Sequence, residues 1–282
     1  GDVTLWVKKN VWMGHTALGI ADRNTMGATL ALQKECAKAG ITPVFGYSCS
    51  LAHDEEKVDI KVYCQSQRGL RNLLRIQKAV MVDAADATIT LPELLRRGEG
   101  NVLVLGRLSS FWLERHLHVL KALQECFDKV FYQVDLSEYK AERLDAEVLK
   151  ATSHFFNTFY DRENDRFLVE PILIPDCHYP DKDEARTKVV LNKIATGAAH
   201  AQSDDQYMKD IDELYAQFSG LFDGDRWDTD ALFERMCRHT VEIAAGAEAR
   251  YRTERNYMPR YDLTAEERQR YGDAHGMFLA LL

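Results

Sequence analysis

Several common signatures are missing from this sequence of 282 residues. No apolar run approaches the roughly 18 residues that a membrane span requires. There is also no Gly-x-Gly-x-x-Gly after a predicted strand and no Gly-Lys-Ser/Thr triplet. These absences argue against a membrane protein and against the Rossmann and P-loop types of nucleotide site.

Paired cysteines are missing as well. The six cysteines are scattered without a Cys-x-x-Cys pair, and no charged-then-apolar leader opens the sequence. This pattern is typical of reduced thiols in a cytoplasmic protein, and it disfavours zinc ribbons and thioredoxin-like sites. Cys49 and Cys177 each follow a predicted strand and could lie in a site, although buried cysteines more often act as small hydrophobic residues.

The chain has no excess of positive charge. The chain has 36 Lys and Arg against 44 Asp and Glu, which gives a formal net charge of −8. Because affinity for nucleic acids comes largely from basic side chains that neutralise phosphates, we do not expect this chain to bind DNA tightly by itself. Hydrophobic residues make up 46% of the chain, which is ordinary for a globular protein.

The first 63 residues predict a βαβ unit followed by another strand. Ala17 to Ala21 and Pro43 to Tyr47 are short apolar runs, and Asn24 is a good N-cap for an amphipathic helix over 25–39 between them. A strand, a helix and a strand in this order imply parallel pairing with a right-handed crossover. Val58 to Tyr63 alternates apolar and polar residues, which predicts a half-exposed strand.

The alternation of strands and helices continues to about residue 180. We expect strands at Val102 to Leu105, Val130 to Val134 and Ile172 to Ile174, and helices at Leu70 to Val80, Leu91 to Arg97, Phe111 to Phe127 and Ala141 to Thr158. Only helical patterns follow, over 183–195, 204–218 and 228–249. The prediction is an α/β protein, either a doubly wound sheet or a closed barrel, and we favour the barrel.

An Asp-x-His pair marks the candidate site. Asp176 and His178 follow the Ile172 strand, and the period of two in a strand directs both side chains to one side. This pair suits a divalent metal, and the alternative is a turn before Tyr179 and Pro180. Asp22-Arg23, Ser48-Cys49, Arg107 to Ser109 and Asp135 also follow predicted strands, at the ends where α/β proteins place their sites.

Two blocks of sequence are distinctive. The first runs from Gly14-His15-Thr16 through Ala21-Asp22-Arg23-Asn24-Thr25-Met26 to Gly46. The second is Pro175-Asp176-Cys177-His178-Tyr179 with the following helix, which ends in Thr196-Gly197. Together they resemble the PHP (polymerase and histidinol phosphatase) domain, in the version found at the N-terminus of bacterial C-family replicative DNA polymerases. Weaker similarity continues through Tyr207 to Leu214 and Thr240 to Ala244, so the resemblance covers nearly the whole chain in order.

The resemblance implies a distorted (β/α)7 barrel with a C-terminal helical extension and a cluster of His, Asp and Glu ligands for up to three metals. Active members hydrolyse phosphoesters or proofread a 3′ end. This chain departs from that pattern. The opening His-x-His strand is absent, Asp22-Arg23 stands for Asp-His, and Ser48 stands for a Glu. Asp176 and His178 are the remnant metal candidates, and Asp22, Arg23 and Ser48 are second-layer or substituted positions.

The resemblance also implies a division of the chain. We expect residues 1–200 to form the barrel with its first strand upstream, residues 201–262 to form a helical tail, and residues 263–282 to begin the polymerase palm. Without the upstream strand, the sheet should show an open edge. The partners implied are the palm of the parent polymerase and a proofreading exonuclease subunit, with DNA contacted only through the parent and no membrane contact.

Two functional hypotheses follow. In the first, the chain is a structural or partner-docking PHP domain with a degenerate metal site and no cofactor. In the second, it is an active phosphoesterase or 3′ to 5′ exonuclease that uses Zn or Mn. Too few ligands remain for a catalytic cluster, which favours the first. Under it, Arg23 should occupy the metal position and contact Asp176 or another nearby carboxylate.

Overall fold

The computed structural model describes residues 2–197, 203–222, 227–254 and 261–282. The chain divides into two compact units, Gly1–Arg250 and Tyr251–Leu282. The boundary that the sequence predicts between residues 200 and 201 lies outside the described residues. In the described part of the chain, no helix is both long enough and apolar enough to cross a membrane.

The first unit contains nine strands and ten α-helices among its described residues. The strands are β1 (Ala17–Ile20), β2 (Thr42–His53), β3 (Glu56–Cys64), β4 (Thr88–Thr90), β5 (Asn101–Leu105), β6 (Lys129–Val134), β7 (Tyr160–Asp161), β8 (Arg166–Phe167) and β9 (Glu170–Leu173). The helices are α1 (Val3–Trp12), α2 (Thr29–Ala39), α3 (Gln67–Lys78), α4 (Leu91–Leu95), α5 (Ser110–Arg115), α6 (Leu117–Cys126), α7 (Glu142–Thr158), α8 (Ala185–Thr196), α9 (Ile211–Ser219) and α10 (Thr229–Gly246). A π-turn, Ala79–Asp83, extends α3, and a 3-10 turn, Lys182–Glu184, precedes α8.

The main sheet is mixed and curls into a half-barrel. Its strand order is β1-β2-β3-β5-β6-β9, with β4 paired to the far end of β2. Strands β1 and β2 pair in parallel, as the sequence predicts, and so do β5, β6 and β9. However, β3 runs antiparallel to both of its neighbours. An all-parallel arrangement is therefore wrong, and within the described residues the strand order ends at β1 and β9.

A tight hairpin between β2 and β3 causes this difference. Asp54 and Glu55 both have positive φ, 48° and 63°, in the two-residue turn between His53 and Glu56. Consecutive left-handed residues are the hallmark of a type I′ turn, whose twist matches that of paired antiparallel strands. Glycine usually occupies such positions, so the turn leaves little signal in this sequence.

An apolar cluster covers one half of the concave face. Alternate residues of successive strands contribute side chains to it, and the C-terminal half of α10 packs against them. The cluster comprises Val44, Tyr63, Val102, Val104, Phe131, Ile172, Ile243 and Ala247, with Ala17, Ala21, Ile174 and Ala244 at its margin. Because α10 closes this half of the concave face, only the other half is left for polar chemistry.

Several predicted helix limits are wrong for local reasons. Asn24 does not cap α2, because it has a φ of 58° and the helix begins only at Thr29. The helix predicted over 111–127 is broken at His116, whose φ of −123° and ψ of 42° are not helical. The segment 204–210 is not helical, since Asp210 caps the start of α9.

The second unit contains two short helices among its described residues. They are α11 (Ala265–Tyr271) and α12 (Ala274–Leu281). A capping box between Thr264 and Glu267 starts α11, and Gly272, with a φ of 78°, ends it. Asp273 then caps α12 by accepting a hydrogen bond from the backbone N–H of Gly276.

Candidate functional site

Polar side chains occupy the other half of the concave face. Ser48 and Ser50 of β2 lie opposite Lys61 and Asp59 of β3, and Gln133 of β6 lies beyond them. We call this region the mouth and define it by Asp22, Arg23, Ser48, Ser50, Asp59, Lys61, Arg107, Gln133, Asp135, Asp176 and His178. The mouth contains the five predicted site residues, Asp22, Arg23, Ser48, Asp176 and His178, together with Arg107 and Asp135, which also follow predicted strands.

Lys61 is the cation that faces Asp176. Its Nζ lies 3.0 Å from Asp176 Oδ1 and donates to Gln133 Oε1 at 3.0 Å, with only 11% of the side chain exposed. Gln133 Nε2 in turn donates to Asp176 Oδ1 at 3.1 Å. Burial alone would raise the pKa of Asp176, but the charge of Lys61 and these hydrogen bonds outweigh it and lower the pKa. Asp176 is therefore an ionised carboxylate whose Oδ1 is bound by both Lys61 and Gln133.

Arg107 and Asp135 form a second, completely buried pair. Arg107 Nη1 lies 3.2 Å from Asp135 Oδ2 and also donates to the carbonyls of Asp135 and Ser137. The guanidinium stacks 4.5 Å from the ring centre of Tyr139. Burial raises the pKa of Asp135, and the adjacent guanidinium opposes that rise. Asp135 Oδ2 accepts from the backbone N–H of Asp176 at 3.1 Å, which links the two pairs into one network.

Arg23 does not contact Asp176. Its guanidinium lies 3.0 Å from Asp59 Oδ1 and donates to Ser50 Oγ at 2.7 Å, and Ser50 donates to the same carboxylate oxygen at 2.8 Å. Asp59 lies two residues from Lys61 on β3, so Arg23 contacts another carboxylate of the mouth, which is the second of the two outcomes expected for it. About half of the Arg23 side chain is exposed, at 53%.

The remaining predicted residues lie beside this network. Backbone hydrogen bonds join Ser48 to Asp22 and Asn24, which extends the β1–β2 pairing past Ile20. Burial raises the pKa of Asp22, with a small opposing effect from the nearby His178. Burial and the positive charge of Lys188 lower the pKa of His178.

The two cysteines that follow predicted strands are poor metal ligands here. Cys49 is fully buried in the middle of β2, and Cys177 Sγ points at the carbonyl of Tyr207, 3.4 Å away. Burial raises the pKa of each thiol to about 12. A thiolate is the form that binds metals, so neither residue offers one at neutral pH.

The mouth does not match the donor set of a metal cluster. Asp59, Asp135 and Asp176 each have a Lys or Arg as a partner, so permanent positive charges already neutralise them. Within the described ranges, His53, His116 and His118 are the one group of three or more His, Cys, Asp or Glu side chains whose ligand atoms converge within 4.8 Å. These histidines lie outside the mouth.

The PHP domain family matches residues 2–154, so the chain belongs to the PHP domain family. No curated protein matches the sequence.

Two solved structures show distant likeness. One, from Bifidobacterium adolescentis, is described as a metal-dependent phosphoesterase and is 11% identical in sequence. The alignment covers 54% of this chain and 78% of the other chain, with a TM-score of 0.33. The other is an amidohydrolase from Chromobacterium violaceum with bound sulfate and no metal. It is 12% identical, covers 77% of this chain and 91% of its own, and has a TM-score of 0.40.

Proposed function

We propose that this chain is a PHP domain without hydrolytic activity, in which fixed cations have taken over the charge-neutralising role of the metal cluster. It serves as a structural or partner-docking part of a C-family replicative DNA polymerase. The observation that carries the proposal is the position of Lys61, whose Nζ lies 3.0 Å from the carboxylate of the Asp-x-His pair. An ammonium at this position competes directly with any metal that Asp176 would bind.

The other two cations of the mouth, Arg107 and Arg23, support the same proposal. Arg107 donates to both the backbone carbonyl and the carboxylate of Asp135, and Arg23 binds Asp59. A guanidinium stays charged at all accessible pH values and can hold carboxylates together without a metal. A two-metal phosphoesterase instead needs carboxylates that are free to bridge its ions. Each of the three carboxylates already has one oxygen bound to a cation.

The polymerase context rests on the order of the sequence motifs. The block from Gly14 to Gly46 and the block from Pro175 to Gly197 resemble the replicative polymerase version of the PHP domain. In that context the domain supports the palm or docks a proofreading exonuclease, and DNA is contacted through the parent polymerase. The net charge of −8 agrees with an indirect role in DNA binding.

The alternative is an active phosphoesterase or 3′ to 5′ exonuclease that uses Zn or Mn. One observation favours it, since Asp22, Asp176 and His178 do lie in one region. However, three protein ligands with an open position are the minimum for a catalytic zinc, and Asp176 is already bound to Lys61. Activity would require Lys61 to leave the mouth.

The decisive experiment combines metal analysis with turnover. The 282-residue chain is dialysed and then assayed in Mn²⁺ and in Zn²⁺ with bis(p-nitrophenyl) phosphate and with single-stranded DNA. We expect no turnover that depends on the mouth, so His178→Ala and Asp176→Asn should behave like the parent. The exposed His15→Ala variant is the matched control for removal of an imidazole. Turnover abolished by His178→Ala but kept in His15→Ala would overturn the proposal in favour of the phosphoesterase.

A further inference from the structure

Three histidines converge on the opposite side of β2 from the mouth. His53 is the last residue of β2, and His116 and His118 stand at the start of α6. One ring nitrogen from each lies within 4.8 Å of the others. The ring centres are 5.1 Å apart for His53 and His116, 6.2 Å for His53 and His118, and 6.0 Å for His116 and His118. The three imidazoles form a compact triangle.

The strand period separates this triangle from the mouth. Ser48 and Ser50 point into the concave face, and His53 has the opposite parity along β2. It shares its face with Cys49 and Leu51, which are fully buried. The histidine triangle therefore belongs to the outer face of the sheet, where the β2–β3 hairpin meets the junction of α5 and α6.

Two buried ring nitrogens in the triangle have no hydrogen-bond partner. His116 is only 8% exposed, and its Nδ1 is one of them. His53 Nε2 is the other, and it approaches Asp54 Oδ2 only at an ion-pair distance of 3.4 Å. An unpartnered buried polar atom costs free energy, so a group that bonds to both would stabilise this corner of the fold.

The second nitrogen of His116 is already oriented. Its Nε2 lies 3.1 Å from Glu56 Oε2, and the other oxygen of that carboxylate contacts Arg115. A carboxylate bound to one imidazole nitrogen is the usual partner of a histidine whose other nitrogen holds a metal, since it fixes the tautomer and strengthens the ligand. With Nε2 held by Glu56, the buried Nδ1 is the nitrogen of His116 that is available to a metal.

We propose that His53, His116 and His118 bind one divalent transition metal ion of the zinc class. Neutral imidazole suits zinc, copper and nickel better than it suits calcium or magnesium. Water or the Asp54 carboxylate would complete a four-coordinate site. The ion would tie the β2–β3 hairpin to the start of α6, two segments that are about 60 residues apart in the sequence.

The test uses zinc chloride and the whole 282-residue chain. After dialysis we expect one zinc per chain, a rise in Tm on adding zinc, and the visible absorption of four-coordinate cobalt when Co²⁺ replaces it. His118 is exposed, so His118→Ala should fold normally and yet lose the bound zinc and the cobalt bands. His53→Ala should do the same. Glu56→Gln should weaken binding about 10–100-fold, because it removes the carboxylate that orients His116.

Two control variants separate this site from the mouth. His15→Ala removes an exposed imidazole elsewhere in the first unit, and His178→Ala removes the imidazole of the mouth. Both should keep the zinc and the cobalt bands. The proposal fails if the parent chain retains no zinc, if His53→Ala and His118→Ala bind it as well as the parent, or if His178→Ala loses it. Loss in His178→Ala would also count against the proposed function, whereas retention there with loss in His118→Ala supports both.

Discussion

Replacing Lys61 by methionine tests the central ion pair of the mouth. Methionine keeps the length of the apolar stem but removes the ammonium. Asp176 then keeps one hydrogen bond from Gln133 Nε2 and faces the neighbouring carboxylate of Asp135 without a cation of its own. We expect a large loss of stability, because the change leaves a mostly buried charge without its partner.

The magnitude follows from the geometry. At 3.0 Å the Coulomb attraction between Lys61 and Asp176 is about 5 kcal/mol for an effective dielectric constant of ~20. Part of it is offset by the desolvation of the ammonium, whose side chain is 11% exposed. Removing one partner of a buried pair typically costs about 3–5 kcal/mol. We therefore expect Lys61→Met to lower the free energy of unfolding by about 3 kcal/mol.

Urea unfolding followed by circular dichroism measures this loss, and β3 supplies a matched control. Lys57 forms an ion pair of similar length with Asp86, 2.9 Å, but both side chains are 55% exposed. Lys57→Met should cost at most about 1 kcal/mol. The double change Lys61→Met with Asp176→Leu should cost about 2 kcal/mol less than the sum of the two single changes. Equal losses at Lys57 and Lys61, or additive single changes, would refute the reasoning.

The loss at Lys61 should also depend on pH. The pKa of Asp176 is lowered in the folded chain, so its ionisation stabilises the fold above the unfolded pKa of about 3.9, and that stability is lost as the pH falls through the folded value. In Lys61→Met this contribution disappears. Without Lys61, burial raises the pKa of Asp176 in the variant. The difference between parent and variant should therefore be full where the carboxyl is ionised in both chains, and it should shrink as the pH falls through the raised pKa of the variant and then the lowered pKa of the parent. A difference that is constant from pH 7 to pH 3 would contradict an electrostatic cause.

Three further predictions concern neighbouring positions. Gly46→Ala should destabilise the fold by about 1–3 kcal/mol, because a Cβ at residue 46 would lie 2.6 Å from the carbonyl oxygen of Ile20. In the control Gly27→Ala, the new Cβ meets no atom closer than 3.4 Å. Equal unfolding midpoints for the two variants would contradict this prediction. Arg23→Ala should change the urea midpoint little, since the side chain is 53% exposed, and a loss above about 2 kcal/mol would show that it acts as a buried pair. In an NMR titration, the pKa of His178 should be lower than the ordinary value of 6.5. The contribution of His178 to the free energy of unfolding should therefore grow as the pH rises through that lowered pKa. A measured pKa at or above 6.5 would contradict the prediction.

The sequence predicts the first part of the fold well because its signals are local. The strand, helix and strand from Ala17 to Tyr47 carry apolar runs and a glycine after the helix, and they form the parallel β1–α2–β2 unit. The antiparallel β3 was beyond such reasoning, because Asp54 and Glu55 form its turn without a glycine. When the turn between two strands contains no glycine or proline, periodicity alone does not show whether the second strand is antiparallel or parallel to the first.

Seven of the eleven mouth residues follow predicted strands, so their position in the sequence points to them. The other four, Ser50, Asp59, Lys61 and Gln133, lie within strands of the structure. Lys61 lies inside a strand whose alternation predicts a polar face toward solvent, whereas the curl of the sheet turns that face inward. The alternation of Lys61 with the apolar Ile60 correctly predicts that the two side chains lie on opposite faces of the sheet. Which of these faces is exposed to solvent, however, depends on how the whole sheet curls. A cation within an apolar alternation, on the same face as a carboxylate two residues away, is the pattern that would have identified it.

The chemistry of the mouth follows from what an ammonium or guanidinium can and cannot do. Lys61 and Arg107 neutralise Asp176 and Asp135 and hold them at fixed distances. A bound metal ion would do the same for carboxylate ligands. Both groups donate hydrogen bonds and have no empty orbital, so neither can lower the pKa of a bound water or polarise a phosphoryl oxygen as a Lewis acid does. Under the proposed function, a mouth built on these cations would keep the charges of the carboxylates balanced but would have no Lewis acid to activate a nucleophile. If the proposal is right, metal binding at Asp176 would first require removal of Lys61, because added ligands alone would leave the ammonium in competition for the same carboxylate.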